Sequence, residues 1–314
     1  MPPPPQHPDF CHAALFYAGD DGYVDGLVPF IRGGLEAGEP VLVMVPGAKF
    51  DLLRETLGAD AGDVQFADMT EVGANPARII PAWSEFVSRR SEPGNRLRGI
   101  GEPIWAGRTS EELVECQHHE ALLNLAFGAG APMDLVCPYD ERALDRAVVE
   151  DALHSHPVVL AGGSFRESSA YEGVEEAAHP LRKPLPPAPP SAASLRFDAA
   201  TLQGARDWVA MRGADAGLGA KRCEELVLAV SELASNSVRH GGGSGILRIW
   251  LEDDTLVAEV SDGGQIDSAL AGREPPAPGQ VGGHGLWVVN QLADLMQMRI
   301  FAGGSVVRVH LHRD

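Results

Sequence analysis

A proline-rich stretch divides this 314-residue chain into two parts that no single core can span. From His179 to Ser191 it reads His-Pro-Leu-Arg-Lys-Pro-Leu-Pro-Pro-Ala-Pro-Pro-Ser, with no plausible core face. Proline fixes φ and has no backbone donor, so such a segment favours extended polyproline conformation and serves as a semi-rigid spacer. Binding to a proline-recognition domain is the less common use of the same composition. The length supplies material for two hydrophobic cores. The pattern predicts a first domain at residues 8–168, a linker at 169–193 and a second domain at 194–314.

The first part alternates strand-like and helix-like pieces. Strands are predicted at 13–17, 40–46, 64–66, 97–102 and 133–137, and helices at 24–36, 50–57, 76–90, 110–127 and 141–154. Pro40 to Pro46 is a near-continuous apolar run, as in a strand buried on both faces. Alternation of this kind predicts a three-layer α/β domain with a mainly parallel sheet. The strand at 40–46 leads into Gly47-Ala48-Lys49, but the spacing lacks the second glycine and the Ser or Thr of a phosphate loop. Cys116, His118, His119, Glu120, Cys137, His154 and His156 are all metal-ligand types, yet their spacing reproduces no paired-ligand motif. A small-molecule pocket at the carboxyl ends of the strands, near Glu102, Trp105 and Tyr139, is the favoured reading for this part.

The second part carries three short motifs in a telling order. A helical segment reads Glu232-Leu233-Ala234-Ser235-Asn236-Ser237-Val238-Arg239-His240-Gly241. The alternating run Leu256 to Ser261 predicts a half-buried strand ending in Asp262-Gly263-Gly264. Gly282-Gly283-His284-Gly285-Leu286 then opens a helix predicted to run to Met296. Glu232 and Asn236 stand at i and i+4, so one helix face presents a carboxylate beside an amide oxygen. Oxygen donors suit magnesium, and a carboxylate beside it can take a proton from an attacking hydroxyl. Asp262 at a strand end is an acceptor for an amine such as the adenine exocyclic group. A glycine-rich helix start exposes free N–H groups that suit phosphate. Each motif alone is as well explained by a polar helix, a hairpin turn or a crowded helix start. Together they point to an ATP pocket. Between them, Gly272 to Gln280 is rich in backbone breakers, as a mobile nucleotide lid would be.

Charge and termini exclude several classes. The formal net charge is −19, and the only lysines are Lys49, Lys183 and Lys221. Direct nucleic-acid binding needs clustered cations and is not expected. Met1-Pro2-Pro3-Pro4-Pro5 has neither a basic region nor an apolar run, and no stretch approaches eighteen apolar residues, so neither a signal peptide nor a membrane span is expected. Four scattered cysteines without C-x-x-C read as reduced buried thiols, and the expected location is cytoplasmic.

Two family resemblances follow from these residues. Residues from about 194 to 314 resemble the ATPase domain shared by histidine kinases, gyrase-type ATPases and anti-sigma-factor serine kinases. Glu232 to Gly241 resembles the E-L-x-x-N-x-x-x-H-G helix of the anti-sigma branch, and Gly282 to Leu286 its G-G-x-G-L turn. The resemblance implies an α/β sandwich with helices on one face of a mixed, largely antiparallel sheet, and ATP with magnesium as cofactors. It implies Glu232 as catalytic base, Asn236 as magnesium ligand and Asp262 as adenine acceptor. Arg239, His240, Gly264, Gly283, His284, Gly285 and Leu286 complete the nucleotide-binding set. Many relatives carry D-x-G-x-G where this chain has Asp262-Gly263-Gly264-Gln265-Ile266, a departure that bears on the lid more than on adenine.

The first part resembles the MEDS sensory domain, named for methanogens and methylotrophs. The landmarks are His12 to Tyr17, Gly34 to Glu39, Gly101-Glu102-Pro103-Ile104-Trp105, Glu120 to Asn124, Cys137-Pro138-Tyr139-Asp140 and His156-Pro157. That resemblance implies a recombinase-ATPase-like core without a phosphate loop and an unidentified small-molecule signal. The combination implies a regulator that phosphorylates a serine or threonine of an anti-sigma-factor antagonist, with a sigma factor as a further partner and a homodimer left open. The rival readings are a non-catalytic, ATP-dependent module that sequesters a sigma factor, and a domain that has lost nucleotide binding.

Overall fold

The structure, a computed structural model, describes residues 9–128, 130–171, 173, 183–276 and 283–313. The chain divides into two compact units, Met1–Ala178 and His179–Asp314. Among the described residues no helix is long and apolar enough to cross a membrane.

The first unit is built on a seven-stranded sheet in the order β3-β2-β4-β5-β1-β6-β7. Its strands are β1 (Phe10–Tyr17), β2 (Val41–Val45), β3 (Val64–Asp68), β4 (Leu97–Gly101), β5 (Met133–Asp140), β6 (Val158–Ala161) and β7 (Ser164–Glu167). Every neighbouring pair is parallel except β6 with β7. All five residues of β2 are buried, as a strand covered on both faces requires. Side chains alternate between those faces. Ala13, Leu15, Tyr17, Val41, Val43 and Val45 pack with Tyr23, Leu27 and Ile31 of α1 (Gly19–Glu36) and with Leu53 and Leu57 of α2 (Gly47–Leu57). On the opposite face a Cβ at Gly99 would lie 2.9 Å from the Trp83 ring, so this glycine lets α4 (Ile79–Arg90) approach the sheet closely. The short α3 (Met69–Val72) precedes it, while α5 (Ser110–Phe127) and α6 (Arg146–Ser155) follow.

Several boundaries differ from the sequence reading. Helix α1 begins at Gly19 rather than Val24, with Asp20 and Asp21 in its first turn, where acidic side chains favour a helix start. Helix α6 begins at Arg146 rather than Glu141, because the Asp140 side chain accepts from the Arg142 N–H and holds a turn. The hairpin β6–β7 is too short to show a period and was not predicted. Helix α5 starts on a capping box in which Thr109 accepts from the Glu112 N–H and the Glu112 carboxylate accepts from the Thr109 N–H. Thr109→Ala is expected to cost about 1 kcal/mol of local stability, read as faster amide exchange in the first turns of α5. Unchanged exchange there would refute it.

The second unit is a two-layer α/β sandwich. Its five-stranded sheet has the order β11-β12-β10-β9-β8, and every pairing is antiparallel. The strands are β8 (Ala193–Asp198), β9 (Ser244–Glu252), β10 (Thr255–Asp262), β11 (Leu295–Phe301) and β12 (Gly304–His312). Three helices, α7 (Leu202–Asp215), α8 (Ala220–His240) and α9 (Gly285–Leu292), cover one face. Helix α8 buries Leu226, Ala229, Val230, Leu233, Ala234 and Ser237, a repeat of three and four that makes one stripe. That stripe meets Leu256, Ala258 and Val260, the inward set of β10.

The helix predicted to reach Met296 ends at Leu292 instead, and Leu295 to Phe301 is a strand. The cause is tertiary. Asp294 donates its backbone N–H to the His310 carbonyl, and its carboxylate takes the Arg222 guanidinium and accepts the His312 N–H at 2.7 Å. These bonds draw the chain into the sheet directly after the helix. All four cysteines are free, and burial pushes the Cys11 and Cys116 thiols each up to about 12.

Candidate nucleotide site

Helix α8 delivers the first set of groups, because residues 232, 236 and 240 recur at the helical period along one face. Gly241 follows the helix, and its N–H donates to the Ser237 carbonyl. A Cβ at Gly241 would lie 2.5 Å from Asp262 Cγ, so only glycine lets the end of β10 close over this helix end.

Asp262 is held by three donors. The Ser237 hydroxyl donates to Oδ2 at 2.5 Å, the Gly264 N–H to Oδ1 at 2.8 Å and the Ser305 hydroxyl to Oδ1 at 3.2 Å. A carboxylate tied this way keeps one orientation, as recognition of a flat base requires. Gly264 has its own constraint, since a Cβ there would lie 2.6 Å from Gly241 Cα and from the His240 carbonyl oxygen. Where the wider pattern has a second glycine, Ile266 places its side chain on the cavity wall. The preceding Gln265 amide donates to the Phe301 and Ala302 carbonyls and pins the departing chain.

Helix α9 closes the other side. A Cβ at Gly285 would stand 2.9 Å from Asn236 Nδ2 and 3.0 Å from Glu232 Oε2. The N-terminus of α9 therefore rests directly against the carboxylate and amide of α8. Asn290, buried on the same helix, donates to the Gly272 carbonyl at 2.8 Å and anchors the start of the predicted lid. Gly282 and residues 277–280 of that loop lie outside the described residues.

These groups surround one cavity of about 830 Å³, within the usual range of small-molecule sites. Glu232, Asn236, Arg239, His240, Asp262, Gly264, Gly283, His284, Gly285 and Leu286 all line it. Arg239 and His240 are exposed at its rim, and Leu233, Val260, Val288 and Val307 supply apolar wall. The donor set fits a magnesium nucleotide. Hard oxygens from Glu232 and Asn236 face a helix start, and a fixed acceptor stands at the far strand end. Sequence reasoning missed Ser237 and Ser305. Ser237 lies inside the helical motif, one residue past Asn236, whereas Ser305 carries no local signal and arrives only through its pairing opposite Asp262.

The sensor candidates occupy separate surroundings in the first unit. Glu102, just past β4, is buried and accepts from the Tyr17 and Tyr23 hydroxyls at 3.2 and 3.1 Å and from the Lys49 ammonium at 3.1 Å. Burial raises its carboxyl above the ordinary range against the pull of Lys49. Lys49 also sits over the Tyr17 and Tyr23 rings at 4.3 and 4.2 Å, which gives it a packing partner rather than a phosphate-loop role. Trp105 stacks with the Arg108 guanidinium at 3.8 Å. Tyr139 is buried between Phe16 and His156.

Comparison with known proteins agrees with this division. Residues 11–157 match the family described as MEDS, the MEthanogen/methylotroph, DcmR Sensory domain. Residues 195–311 match the histidine kinase-like ATPase domain. The chain joins a MEDS sensory domain to a histidine kinase-like ATPase domain. No curated protein matches it. Among solved structures it is similar to the RsbU and RsbW domains of Rv1364c from Mycobacterium tuberculosis, at 21% identity and a TM-score of 0.30. That match covers 38% of this chain and 32% of the other, so the chain spans about a third of its length. The cavity described above lies wholly within the histidine kinase-like ATPase domain, and the Glu102 cluster within the MEDS domain.

Proposed function

We propose that the ATPase domain binds magnesium-ATP and transfers its γ-phosphate to a serine or threonine hydroxyl of a partner protein, under control of the MEDS domain. The observation that carries this reading is that the fixed Asp262 carboxylate, Glu232, Asn236 and the start of α9 all line one cavity. Asp262 accepts from the adenine amine, and the apolar wall of Val260, Ile266 and Val307 covers the base. The N–H groups at the start of α9 face the phosphates. Asn236, with Glu232 beside it, would hold magnesium, which offsets phosphate charge when bound. In the transfer the partner hydroxyl oxygen bonds to the γ-phosphorus, the bond to the ADP oxygen breaks, and the hydroxyl proton passes to the Glu232 carboxylate.

The partner class rests on the motif pattern of the α8 helix and the α9 turn, which resembles the anti-sigma-factor kinases. An anti-sigma-factor antagonist is the phosphate acceptor, and a sigma factor shares the regulated surface. The MEDS domain takes the small-molecule signal.

Asp262→Asn is the first test. It places an amide where three donors and the base expect acceptor oxygens, and is expected to weaken ATP binding by about 1–3 kcal/mol, roughly 5- to 150-fold. Calorimetry on the full chain reads this directly. If the parent protein gives no heat with ATP at millimolar concentration, the nucleotide reading fails. Tight ATP binding without transfer to candidate antagonists would favour the sequestering module instead.

A further inference from the structure

The tertiary structure gathers one cluster that sequence spacing does not reveal. His12 on β1, Cys137 on the adjacent β5, Glu120 on α5 and His156 directly after α6 converge in the MEDS domain. Their ligand-type atoms all lie within 4.8 Å of one another, and all four residues are buried. Glu120 Oε2 is 3.0 Å from His12 Nε2 and 3.3 Å from His156 Nε2, and Cys137 Sγ is 3.4 Å from His12 Nε2. Ligand atoms around a tetrahedral zinc ion stand about 3.3–3.8 Å apart, given metal–ligand bonds of about 2.0–2.3 Å. The cluster is close to that spacing.

The surrounding hydrogen bonds decide which atoms face inward. His156 Nδ1–H donates to the Ala152 carbonyl at 2.8 Å, so in the neutral ring Nε2 is the lone-pair nitrogen. His12 Nδ1–H donates to Asn124 Oδ1 at 3.1 Å. The Asn124 amide is itself oriented, because its Nδ2 donates to the Ser155 carbonyl at 2.7 Å. With both rings neutral, each imidazole turns an unprotonated nitrogen toward the Glu120 carboxylate. Glu120 Oε1 is buried and has no hydrogen-bond partner among the described residues. Acceptors facing acceptors in a dry interior repel, and an uncompensated buried charge is costly.

We propose that His12, Glu120, Cys137 and His156 form a closed site for a borderline-soft divalent cation of the zinc class. One thiolate and one carboxylate balance the two positive charges, and two neutral imidazoles complete four ligands. Asn124 and the Ala152 carbonyl are the outer partners that orient the two histidines. The ion ties β1, β5, α5 and the end of α6 together, so its presence sets how these elements pack in the sensory domain. This inference is independent of the nucleotide reading.

The test is cobalt titration of the full-length protein after removal of metal by chelation. One equivalent of cobalt should bind with a thiolate-to-cobalt charge-transfer band, and zinc should displace it. Cys137→Ser should abolish the band, whereas Cys223→Ser, in the other unit, should keep it. Asn124→Ala should lower zinc affinity by about 10- to 100-fold in competition with a chromophoric chelator. Failure of the parent protein to hold cobalt, binding without a thiolate band, or a band that survives Cys137→Ser would each overturn the proposal and leave a proton-bridged polar cluster.

Discussion

Replacing Glu232 by alanine is expected to slow phosphoryl transfer by roughly 100- to 10,000-fold while ATP affinity stays nearly intact. The expectation rests on position. Glu232 Oε2 stands beside the start of α9, where a Cβ on Gly285 would come within 3.0 Å of it, and both residues line the cavity that holds Asp262. A base contributes to the transition state rather than to ground-state binding, so the rate constant should fall and the dissociation constant should not. Asn236→Ala separates the two roles, because losing a metal ligand should impair magnesium-dependent binding and transfer together. Labelled ATP, candidate antagonist proteins and calorimetry supply both readouts. Equal transfer rates for Glu232→Ala and the parent would remove the base assignment and leave the nucleotide site standing.

The second large effect lies on the backbone opposite the site. Gly304 opens β12 at φ +146, and a Cβ there would lie 2.0 Å from the Asp262 carbonyl oxygen. Gly304→Ala imposes a conformation that L side chains rarely adopt and drives a methyl group into backbone that cannot swing aside. The expected cost is at least about 3 kcal/mol, and it falls where β10 and β12 pair. Amide exchange in those two strands should accelerate by roughly 100-fold, and ATP binding should weaken because Asp262 loses its position. Gly303→Ala is the matched control, since nothing lies within 4 Å of a Cβ at that neighbour. Matching exchange rates for Gly304→Ala and Gly303→Ala would refute the argument.

The lining of the ATPase-domain cavity was largely legible because its motifs are local. Glu232 and Asn236 share a helix face by their spacing alone, Asp262 ends an alternating strand, and the glycines of 283–285 announce a close approach. Each reading needs only the period of one element. The same logic failed where a distant partner intervened. The run after Leu292 has helical periodicity on paper, but the pull of Arg222 on Asp294 and pairing with β12 make it a strand. Ser305 is invisible as a site residue until antiparallel register sets it across from Asp262.

The amino-acid sequence by itself determined the two-part organisation, the alternating α/β pattern of the first part and the ordered motifs of the second. Proline stiffness, strand and helix periods and glycine turns are short-range properties, so they survive without any knowledge of packing. Tertiary structure alone decided which residues meet. His12, Glu120, Cys137 and His156 come from four separate elements and share a point only because β1 and β5 are neighbours in register beneath α5. Among the seven ligand-type residues noted in the sequence, it gathers Glu120, Cys137 and His156, and it adds His12, which no spacing rule singled out. The reason is physical: a buried cluster is set by sheet order and helix packing, and neither leaves a fixed interval along the chain.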